Sequence, residues 1–286
     1  MRLPCCLKKN LDYKRGKDEK EPKTMNTNPM KVVILAGGMP SNISEENDKI
    51  PKPMVKIGDR PLLWHIMKSY SSCGFNDFII CTGYRAELVK EYFLDYYIYS
   101  SDITVDLQNN DVMIHNKVSE PWKVTVVDTG LNATTGERIR KIQKYIDDDA
   151  FIVCYGDCIT DLNISGLLSA YHESPHLVTM AVARPAGRNA VLNLDADGNL
   201  ASDIVLQNNY AADAWVNTCH MVLSKEIFSY LASRESFETT TINRLRKTRR
   251  VATYKHEGFW MPVETMRDKL FLEELWQSGS APWKVW

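Results

Sequence analysis

From Lys31 onward, short β-rich runs alternate with stretches of helical periodicity, and this alternation restricts the fold more than any other feature of the sequence. The first predicted strands are KVVILAGG and DFIICTGY, and the first predicted helices are RPLLWHIMKSYSSCG and AELVKEYFLDY. In the first helix, apolar residues recur at helical spacing, and Gly74 stands where a C-terminal cap would lie. Strands that alternate with helices are typical of βαβ units around a mostly parallel sheet. We therefore predict an α/β fold with a Rossmann-like start.

The later elements indicate that the central sheet is mixed. The further predicted strands are KVTVVDTG, AFIVCYGD, LVTMAVARP and WVNTCHMVLS, and the further predicted helices are ERIRKIQKYI, DLNISGLLSAYHES and DKLFLEELWQSG. The turn DADGN lies between two more β-like runs, which predicts an antiparallel hairpin. Residues 1–29 are polar and lack an apolar period, so we expect a disordered extension there, followed by a single domain over residues 30–286.

Charge and hydropathy argue against two classes of partner. The 35 basic and 36 acidic residues leave a net charge of -1, which provides no global attraction for nucleic acid or anionic lipid. The basic run NRLRKTRR is interpreted as a solvated helix end or edge strand. No apolar run approaches the roughly 20 residues that cross a bilayer, and the N-terminus lacks the pattern of a secretory signal. We expect a cytoplasmic protein with neither a membrane nor a nucleic-acid partner.

The cysteines, tryptophans and His65 have structural interpretations. The 7 cysteines include no CxxC pair, so we expect small buried thiols in a reducing compartment. His65 lies among apolar neighbours in the first predicted helix and is interpreted as structural. The tryptophans near the C-terminus are suited to an interface in a homo-oligomer, and core packing within one subunit explains them equally well.

Three features lie where open α/β sheets bind ligands, at the carboxyl ends of strands. Gly37 and Gly38 follow a strand and let backbone N–H groups approach a phosphate, although a tight turn without a ligand has the same pattern. Lys49 and Lys52 lie in DKIPKPM, whose prolines stiffen the segment, although a surface lysine is the simpler interpretation. Asp157 ends an apolar strand, where it is placed to bind Mg²⁺ or to cap the next helix, and we favour the metal.

Several longer segments resemble the glucose-1-phosphate cytidylyltransferases, a family of sugar-1-phosphate nucleotidyltransferases. The resemblance runs from about Met30 to Trp286, and its most specific parts are WHIMK, EPWKVT and GFWMP, followed by the terminal PWK. It is also carried by KVVILAGG, KIPKPMVKIGDRPLL, TGERI and YGD. The resemblance implies a Rossmann-like nucleotidyltransferase fold with a mixed, mostly parallel sheet flanked by helices.

The resemblance also implies a reaction and a set of site residues. A phosphate oxygen of a sugar 1-phosphate, glucose 1-phosphate by the match, attacks the α-phosphorus of CTP, and pyrophosphate leaves. By the match, Lys52 contacts the phosphates, and Asp157 and Glu264 bind the cofactor Mg²⁺. The residues that the match places around the nucleotide are Leu35, Ala36, Gly37, Gly38, Met39, Thr135, Gly136, Arg138 and Gly156.

The sequence departs from the family pattern at several pocket positions. Pro40, Ser41 and Asn42 replace the usual Gly-Thr-Arg, which removes a cation and a backbone donor. The stretch VLQNNYAADAW lacks the family's lysine, and Asn217-Thr218-Cys219 replaces Asn-Gly-Gly. Glu264 stands where aspartate is common, and Glu137 adds an anion that we expect beside the nucleotide.

Two explanations of these departures compete. The first is an active enzyme, either with the family's substrates or remodelled for another phosphorylated substrate or nucleotide. The second is a weakened or inactive homologue that acts as a nucleotide-sugar binding or regulatory protein. The retention of Lys52, Asp157 and Glu264 favours activity, because a chain without catalysis has little physical use for a lysine and two carboxylates at one site.

Overall fold

A computed structural model describes residues 30–38, 50–115, 119–173, 176–184, 195, 197–200 and 214–286. Some predictions fall outside the described residues: the extension over residues 1–29, Met39, the replacements Pro40 to Asn42, and Lys49. The VLQNNYAADAW segment up to residue 213 and the strands that flank the DADGN turn also fall outside them. The turn itself is described in part, and Gly198 N donates to Asp195 O at 3.1 Å.

The described chain contains strands and helices in the predicted alternation. The strands are β1 (Val32–Ala36), β2 (Lys56–Ile57), β3 (Arg60–Pro61), β4 (Asp77–Thr82), β5 (Ile103–Asp106), β6 (Asp111–Ile114), β7 (Lys123–Asp128), β8 (Ala150–Tyr155), β9 (Cys158–Thr160), β10 (Val178–Ala183), β11 (Val216–Ser224), β12 (Val251–His256) and β13 (Trp260–Pro262). The α-helices are α1 (Leu62–Ser72), α2 (Ala86–Leu94), α3 (Tyr96–Tyr99), α4 (Thr135–Lys141), α5 (Ile164–His172), α6 (Ile242–Lys247) and α7 (Met266–Gln277). Short 3-10 or π-helical turns cover Lys52–Met54, Gln143–Tyr145, Lys225–Tyr230 and Phe237–Thr241.

The central sheet has seven strands in the order β12-β10-β11-β8-β1-β4-β7. β11 runs antiparallel to both of its neighbours, and every other pair is parallel, so the predicted mixed, mostly parallel sheet is confirmed. The register pairs Leu35 with Tyr155 and Ala36 with Thr82, and it pairs Thr82 with Asp128. The carboxyl ends of four strands therefore meet at one edge of the sheet, which is where such folds bind ligands.

Both faces of the sheet are buried, which explains the nearly all-apolar strands. Val32 and Ile34 of β1 belong to a core cluster with Leu63 and Met67 of α1 and with Trp283. Val33 faces the opposite way, into a second cluster with side chains of α4 and α6. Alternate residues of β1 thus anchor the two helical layers that flank the sheet.

The local signals at α1 act as predicted. α1 ends at Ser72, Gly74 follows with a left-handed φ of 91°, and Phe75 N donates to Tyr70 O at 3.1 Å. His65 is fully buried, and its Nε2 lies 2.9 Å from Ile57 O, so its structural interpretation agrees with its surroundings. Within the described ranges, every helix is too short or too polar to span a bilayer.

Candidate active site

A cleft of about 210 Å³ opens at the carboxyl ends of β1 and β8. The cleft brings together predicted residues that come from four separate parts of the chain. It is lined by Leu35, Ala36, Gly37, Gly38, Lys52, Pro53, Thr135, Arg138, Tyr155 and Asp157. Eight of the twelve predicted site residues therefore share one surface: Leu35, Ala36, Gly37, Gly38, Lys52, Thr135, Arg138 and Asp157.

Asp157 projects from the turn after β8, and its side chain is 30% exposed. Its Oδ2 lies 3.4 Å from Lys52 Nζ, and its Oδ1 accepts a hydrogen bond from Cys158 Sγ at 3.5 Å. The hydrogen bond with Cys219 and burial raise the pKa of the Cys158 thiol, so the thiol keeps its proton. Asp157 does not cap the next helix, because Asn163 does so by accepting from Gly166 N. The carboxylate is thus held in place and still open to the cleft.

Lys52 is oriented by its backbone. Lys52 is the first residue of a 3-10 turn, in which Met54 N donates to Pro51 O at 2.8 Å. Pro51, just before the turn, has an extended backbone. The side chain is only 21% exposed. A freely solvated lysine would be more exposed, so Lys52 lies in the wall of the cleft and not on the open surface.

The two glycines after β1 have different structural roles. A Cβ on Gly37 would lie 2.1 Å from Arg138 Nη1 and 2.9 Å from the carbonyl carbon of Thr82. No atom lies within 4 Å of the corresponding position on Gly38. Gly37 therefore allows close packing of the loop, and Gly38 leaves its backbone accessible from the cleft.

Arg138 connects the ends of three parallel strands. Its Nη1 donates to Thr82 O (3.2 Å), Thr129 Oγ1 (2.6 Å) and Gly130 O (3.0 Å). Its Nη2 donates to Gly37 O (2.6 Å) and Leu131 O (3.2 Å). The residue is 6% exposed, and burial lowers the pKa of its guanidinium. Arg138 lines the cleft as predicted, but its hydrogen bonds go to the loops that form the wall.

Glu137, the anion expected beside the nucleotide, is not among the residues that line the cleft, which corrects that prediction. Glu137 forms a capping box with Thr134: Oε2 accepts from Thr134 N at 3.0 Å, and Glu137 N donates to Thr134 Oγ1 at 3.3 Å. Its Oε1 accepts from Ser233 Oγ and Arg234 N at 3.0 and 3.1 Å. The Thr134 and Arg234 amide donors hold the pKa of this carboxyl at about 2. The T-x-x-E pattern was visible in the sequence and signals this cap.

Three predicted residues lie outside the cleft lining. The Cα of Gly136 faces Leu231 and Phe237, 3.7 and 3.8 Å from where a Cβ would lie. Gly156 faces Pro53, whose Cγ would lie 2.8 Å from such a Cβ, so Gly156 gives room to the turn that carries Lys52. Glu264 is exposed.

Glu264 is nevertheless brought towards Asp157 by strand pairing. β13 runs antiparallel to β9, and Val263 N donates to Asp157 O at 2.7 Å. Glu264 is the next residue, and its backbone N donates to Asp268 Oδ2 at 3.0 Å. Within the described ranges, no group of three or more His, Cys, Asp or Glu side chains is arranged to hold a metal ion. A metal here would rely on the two carboxylates and on ligands from outside the protein.

Sequence reasoning missed two residues of the cleft, Pro53 and Tyr155. The Tyr155 hydroxyl donates to Glu238 Oε1, and burial together with the Glu238 charge raises the pKa of the phenol well above its usual range. Tyr155 lies two residues before Asp157, so the period of the strand could have indicated that both side chains are on the same side.

A β-bulge in β11 lies where the sequence replaces the family's Asn-Gly-Gly. Met180 pairs with Met221 and Val182 pairs with Asn217, so β11 has extra residues between these two pairs. Cys219 takes a left-handed φ of 66° in this bulge, and its N donates to Asn217 Oδ1 at 2.8 Å. A left-handed backbone at a residue with a Cβ costs about 1–2 kcal/mol. The glycine expected from the family would avoid this cost.

An open, mostly parallel sheet with a cleft at its carboxyl edge, lined by a lysine and by a strand-end carboxylate, is typical of α/β proteins that bind phosphorylated ligands. The nucleotidyl transferase family model matches residues 31–268. The chain belongs to this family of nucleotidyltransferases.

Individual relatives agree with this assignment. The glucose-1-phosphate cytidylyltransferase of Salmonella typhi is 40% identical over 260 residues, which cover 90% of this chain and 100% of that protein. The probable glucose-1-phosphate cytidylyltransferase of Bacillus subtilis is 34% identical over 259 residues, with 90% and 100% covered. The crystal structure of HddC from Yersinia pseudotuberculosis superposes with a TM-score of 0.66 at 24% sequence identity. The superposition covers 86% of this chain and 99% of that one. At this identity the similarity supports the fold alone. The family resemblance predicted from the sequence segments is confirmed.

Proposed function

We propose that this chain transfers the cytidylyl group of CTP to glucose 1-phosphate, forming CDP-glucose and pyrophosphate. A phosphate oxygen of the sugar phosphate forms the new bond to the α-phosphorus, and the bond from that phosphorus to the bridging oxygen of pyrophosphate breaks. The observation that carries the proposal is the placement of Lys52 Nζ 3.4 Å from Asp157 Oδ2 inside the cleft. The names of the Salmonella and Bacillus relatives supply the nucleotide and the sugar.

Both reactants are polyanions, so the residues have two tasks, charge neutralisation and alignment. Lys52 offers the cation for the phosphates and has the limited exposure of a positioned group. Gly38 offers an unobstructed backbone, and Arg138 holds the loop that presents it. Leu35, Ala36 and Thr135 complete the described wall of the nucleotide pocket. In the proposal, Gly136 and Gly156 shape the surrounding backbone.

The residues fit a magnesium ion, the proposed cofactor. Asp157 and Glu264 supply oxygen donors, and Mg²⁺ is commonly bound by one or two carboxylates together with substrate phosphates and water. The Asp157 carboxylate is 30% exposed, and its contact with Lys52 is long enough to be exchanged for another ligand. When bound, the ion would neutralise charge on the phosphate oxygens.

The test is pyrophosphate release over a grid of four nucleoside triphosphates and several sugar 1-phosphates, with Asp157→Asn as the control. We expect CTP with glucose 1-phosphate to give the highest kcat/KM and the variant to lower kcat by about 10²–10³-fold. Turnover with a different pair would show the remodelled enzyme. Calorimetric binding of a nucleotide without turnover would favour the nucleotide-sugar binding or regulatory protein, to which the left-handed Cys219 and the replacements Pro40 to Asn42 point. The absence of both binding and turnover would refute the site.

Three further proposals concern the setting of the enzyme. We propose that it acts in the cytoplasm, because the cysteines of the described ranges are free thiols, three of them buried. We propose that it binds neither nucleic acid nor membranes, given its balanced charge. We also propose a homo-oligomer, to which the tryptophans near the C-terminus are suited.

A further inference from the structure

Two hydroxyl groups in the cleft, those of Tyr155 and Thr135, have a fixed hydrogen-bond polarity. The Tyr155 phenol has one proton, and that proton is donated to Glu238 Oε1, because an ionised carboxylate can only accept. The Thr135 side chain hydrogen-bonds to the same phenol. Thr135 must be the donor in this bond, since the phenol proton is already used. Both hydroxyls therefore offer lone pairs, and no proton, to a ligand. We call this pair the acceptor wall.

Glu238 is held in place behind the acceptor wall. Its Oε2 accepts from Ser236 Oγ at 3.3 Å, and Ser236 Oγ accepts from Thr239 N at 3.1 Å. The neighbouring Phe237 is buried and packs against the start of α4, where its Cβ lies 3.8 Å from the position of a Cβ on Gly136. Because this turn is anchored, the carboxylate keeps facing the phenol, and the polarity of the two hydroxyls stays fixed.

The acceptor wall and the proposed phosphate-binding lysine approach the cleft from opposite faces of the sheet. Tyr155 packs against the core cluster that contains side chains of α4 and α6. The turn that begins with Lys52 packs its Met54 against the cluster on the α1 face. Asp157 contacts Lys52, so the proposed phosphate and metal groups lie together. The negative charge of Glu238 would repel phosphates, so the wall in front of it suits the nucleoside part of a nucleotide.

A nucleoside can offer two kinds of donor to an acceptor wall. The exocyclic amine of cytosine is a donor, whereas thymine and uracil carry an acceptor oxygen at the same position of the ring. The ribose hydroxyls can donate as well as accept. A wall that only accepts would pair with the cytosine amine and would leave the uracil oxygen opposite a lone pair. The direction of one hydrogen bond can thus distinguish nucleotides that have nearly the same shape.

We propose that Tyr155 is a specificity-determining residue for the nucleotide. Together with Thr135, it accepts a hydrogen bond from the nucleoside, either from the cytosine amine or from a ribose hydroxyl. Glu238 is a positioning residue that keeps the phenol proton out of the cleft. This role rests on the proposed function, because it requires a nucleotide in the cleft.

The test is calorimetric binding of CTP, UTP, 2′-deoxy-CTP and 3′-deoxy-CTP to the original chain and to Tyr155→Phe. The variant keeps the ring and removes the hydroxyl, so the Kd for CTP should rise by about tenfold. A nucleotide that lacks the donor should lose nothing. An unchanged or lower Kd for UTP alone identifies the amine, and an unchanged Kd for one deoxynucleotide identifies a ribose hydroxyl.

Tyr230→Phe is the matched control. The Tyr230 hydroxyl also contacts a glutamate, Glu226 Oε1 at 3.3 Å, and Tyr230 does not line the cleft. Its substitution should leave the Kd of all four nucleotides unchanged. Thermal unfolding would verify that each variant folds.

Glu238→Leu tests the direction of the hydrogen bond. Without the carboxylate, the phenol can donate its proton into the cleft, so an amine donor predicts that the Kd for UTP falls by about tenfold relative to that for CTP. A ribose donor predicts an unchanged ratio of the two, because a ribose hydroxyl both donates and accepts. A purely structural role of the phenol and its glutamate predicts an equal loss for all four nucleotides in both variants.

Binding measurements keep this test separate from that of the transferase. A chain that binds nucleotides selectively through Tyr155 but transfers no cytidylyl group would refute only the proposed reaction. An equal loss for all four nucleotides in Tyr155→Phe, or no loss for CTP, would overturn the role of Tyr155 even in an active enzyme. An original chain that binds none of the four nucleotides would overturn both.

Discussion

The two carboxylates proposed for the metal are held in very different ways. Asp157 lies in a turn between paired strands and contacts both Lys52 and Cys158. Glu264 is exposed on the segment before α7, and its carboxylate has no hydrogen-bond or ion-pair partner among the described residues. A preorganised group contributes more to catalysis than one that must be ordered during the reaction. We therefore expect the loss of the Asp157 carboxylate to lower the reaction rate more than the loss of the Glu264 carboxylate.

The largest expected effect is that of Asp157→Asn. The amide keeps the shape of the side chain but removes the charge that faces Lys52 and the proposed metal. We expect kcat to fall by about 10²–10³-fold, as when a preorganised catalytic contact is removed. Steady-state pyrophosphate release measures this effect, and calorimetry with CTP shows whether the variant still binds nucleotide. A variant with more than a tenth of the original kcat would contradict the dominance of this carboxylate.

Arg138→Lys should have the next largest effect, and it should act on stability as well as activity. Lysine keeps the charge, but it cannot reach the five acceptors that the guanidinium contacts at the ends of β1, β4 and β7. Thr82 O keeps Thr129 N and Thr129 Oγ1 as donors, but the loss of the hydrogen bonds to the other acceptors should lower the free energy of unfolding by about 3 kcal/mol. Urea unfolding measures the loss, and the KM for CTP should rise as the loop loosens.

The matched control for this prediction is Arg140→Lys. Arg140 lies on the same helix, is exposed, and has only a 3.4 Å contact with Ser233 Oγ. Its substitution should leave stability within about 0.5 kcal/mol of the original chain. If the two variants are equally stable, Arg138 is not the residue that holds the wall of the cleft together.

Glu264→Gln should be milder and should depend on the metal concentration. We expect an approximately tenfold loss of activity, about 1.4 kcal/mol, because an exposed ligand must be ordered on binding. Magnesium titration should show a higher half-saturating concentration and partial recovery at high metal. Glu264→Asp keeps the charge and should stay close to the original activity. If Glu264→Gln loses as much activity as Asp157→Asn and high magnesium does not restore it, the exposure of a carboxylate in the free protein does not predict how much it contributes to activity.

The scaffold could be predicted from the sequence because its signals are local. The apolar run AFIVCY gives the buried strand β8, and the residue after its glycine, Asp157, lies where parallel strands end. Two prolines restrict the backbone of Lys52, but the residues alone favoured a surface lysine, and its expected contact with the phosphates came from the family resemblance. Strand periodicity and proline stiffness need no knowledge of distant residues.

The parts that were missed depend on partners that are distant in the sequence. The Arg138 guanidinium donates to Gly37 O and Thr82 O, which lie 101 and 56 residues away in the sequence. Glu137 was assigned to the nucleotide because the capping pattern with Thr134 was not weighed against it. The β5–β6 hairpin was not predicted at all, because its apolar positions serve a face that its own chain does not bury.

The smallest expected effect concerns the bulge of β11, whose Cys219 contacts Cys158, the residue next to Asp157. Cys219→Gly removes the Cβ from a left-handed residue with φ 66° and restores the residue type that the family pattern has there. Relief of about 1–2 kcal/mol of backbone strain is opposed by about 0.5–1 kcal/mol of extra chain entropy in the unfolded state. We expect the free energy of unfolding to rise by about 0.5 kcal/mol.

Cys219→Ser is the control, because it changes the thiol but keeps the Cβ and therefore the strain. Thermal unfolding should rank the glycine variant above the original chain and the serine variant no higher than the original. If Cys219→Gly is less stable than the original chain, the contact of the Cys219 thiol with Cys158 stabilises the fold by more than the left-handed backbone destabilises it. A more stable glycine variant with raised turnover would instead mean that the strained bulge limits the Asp157 side of the cleft through Cys158.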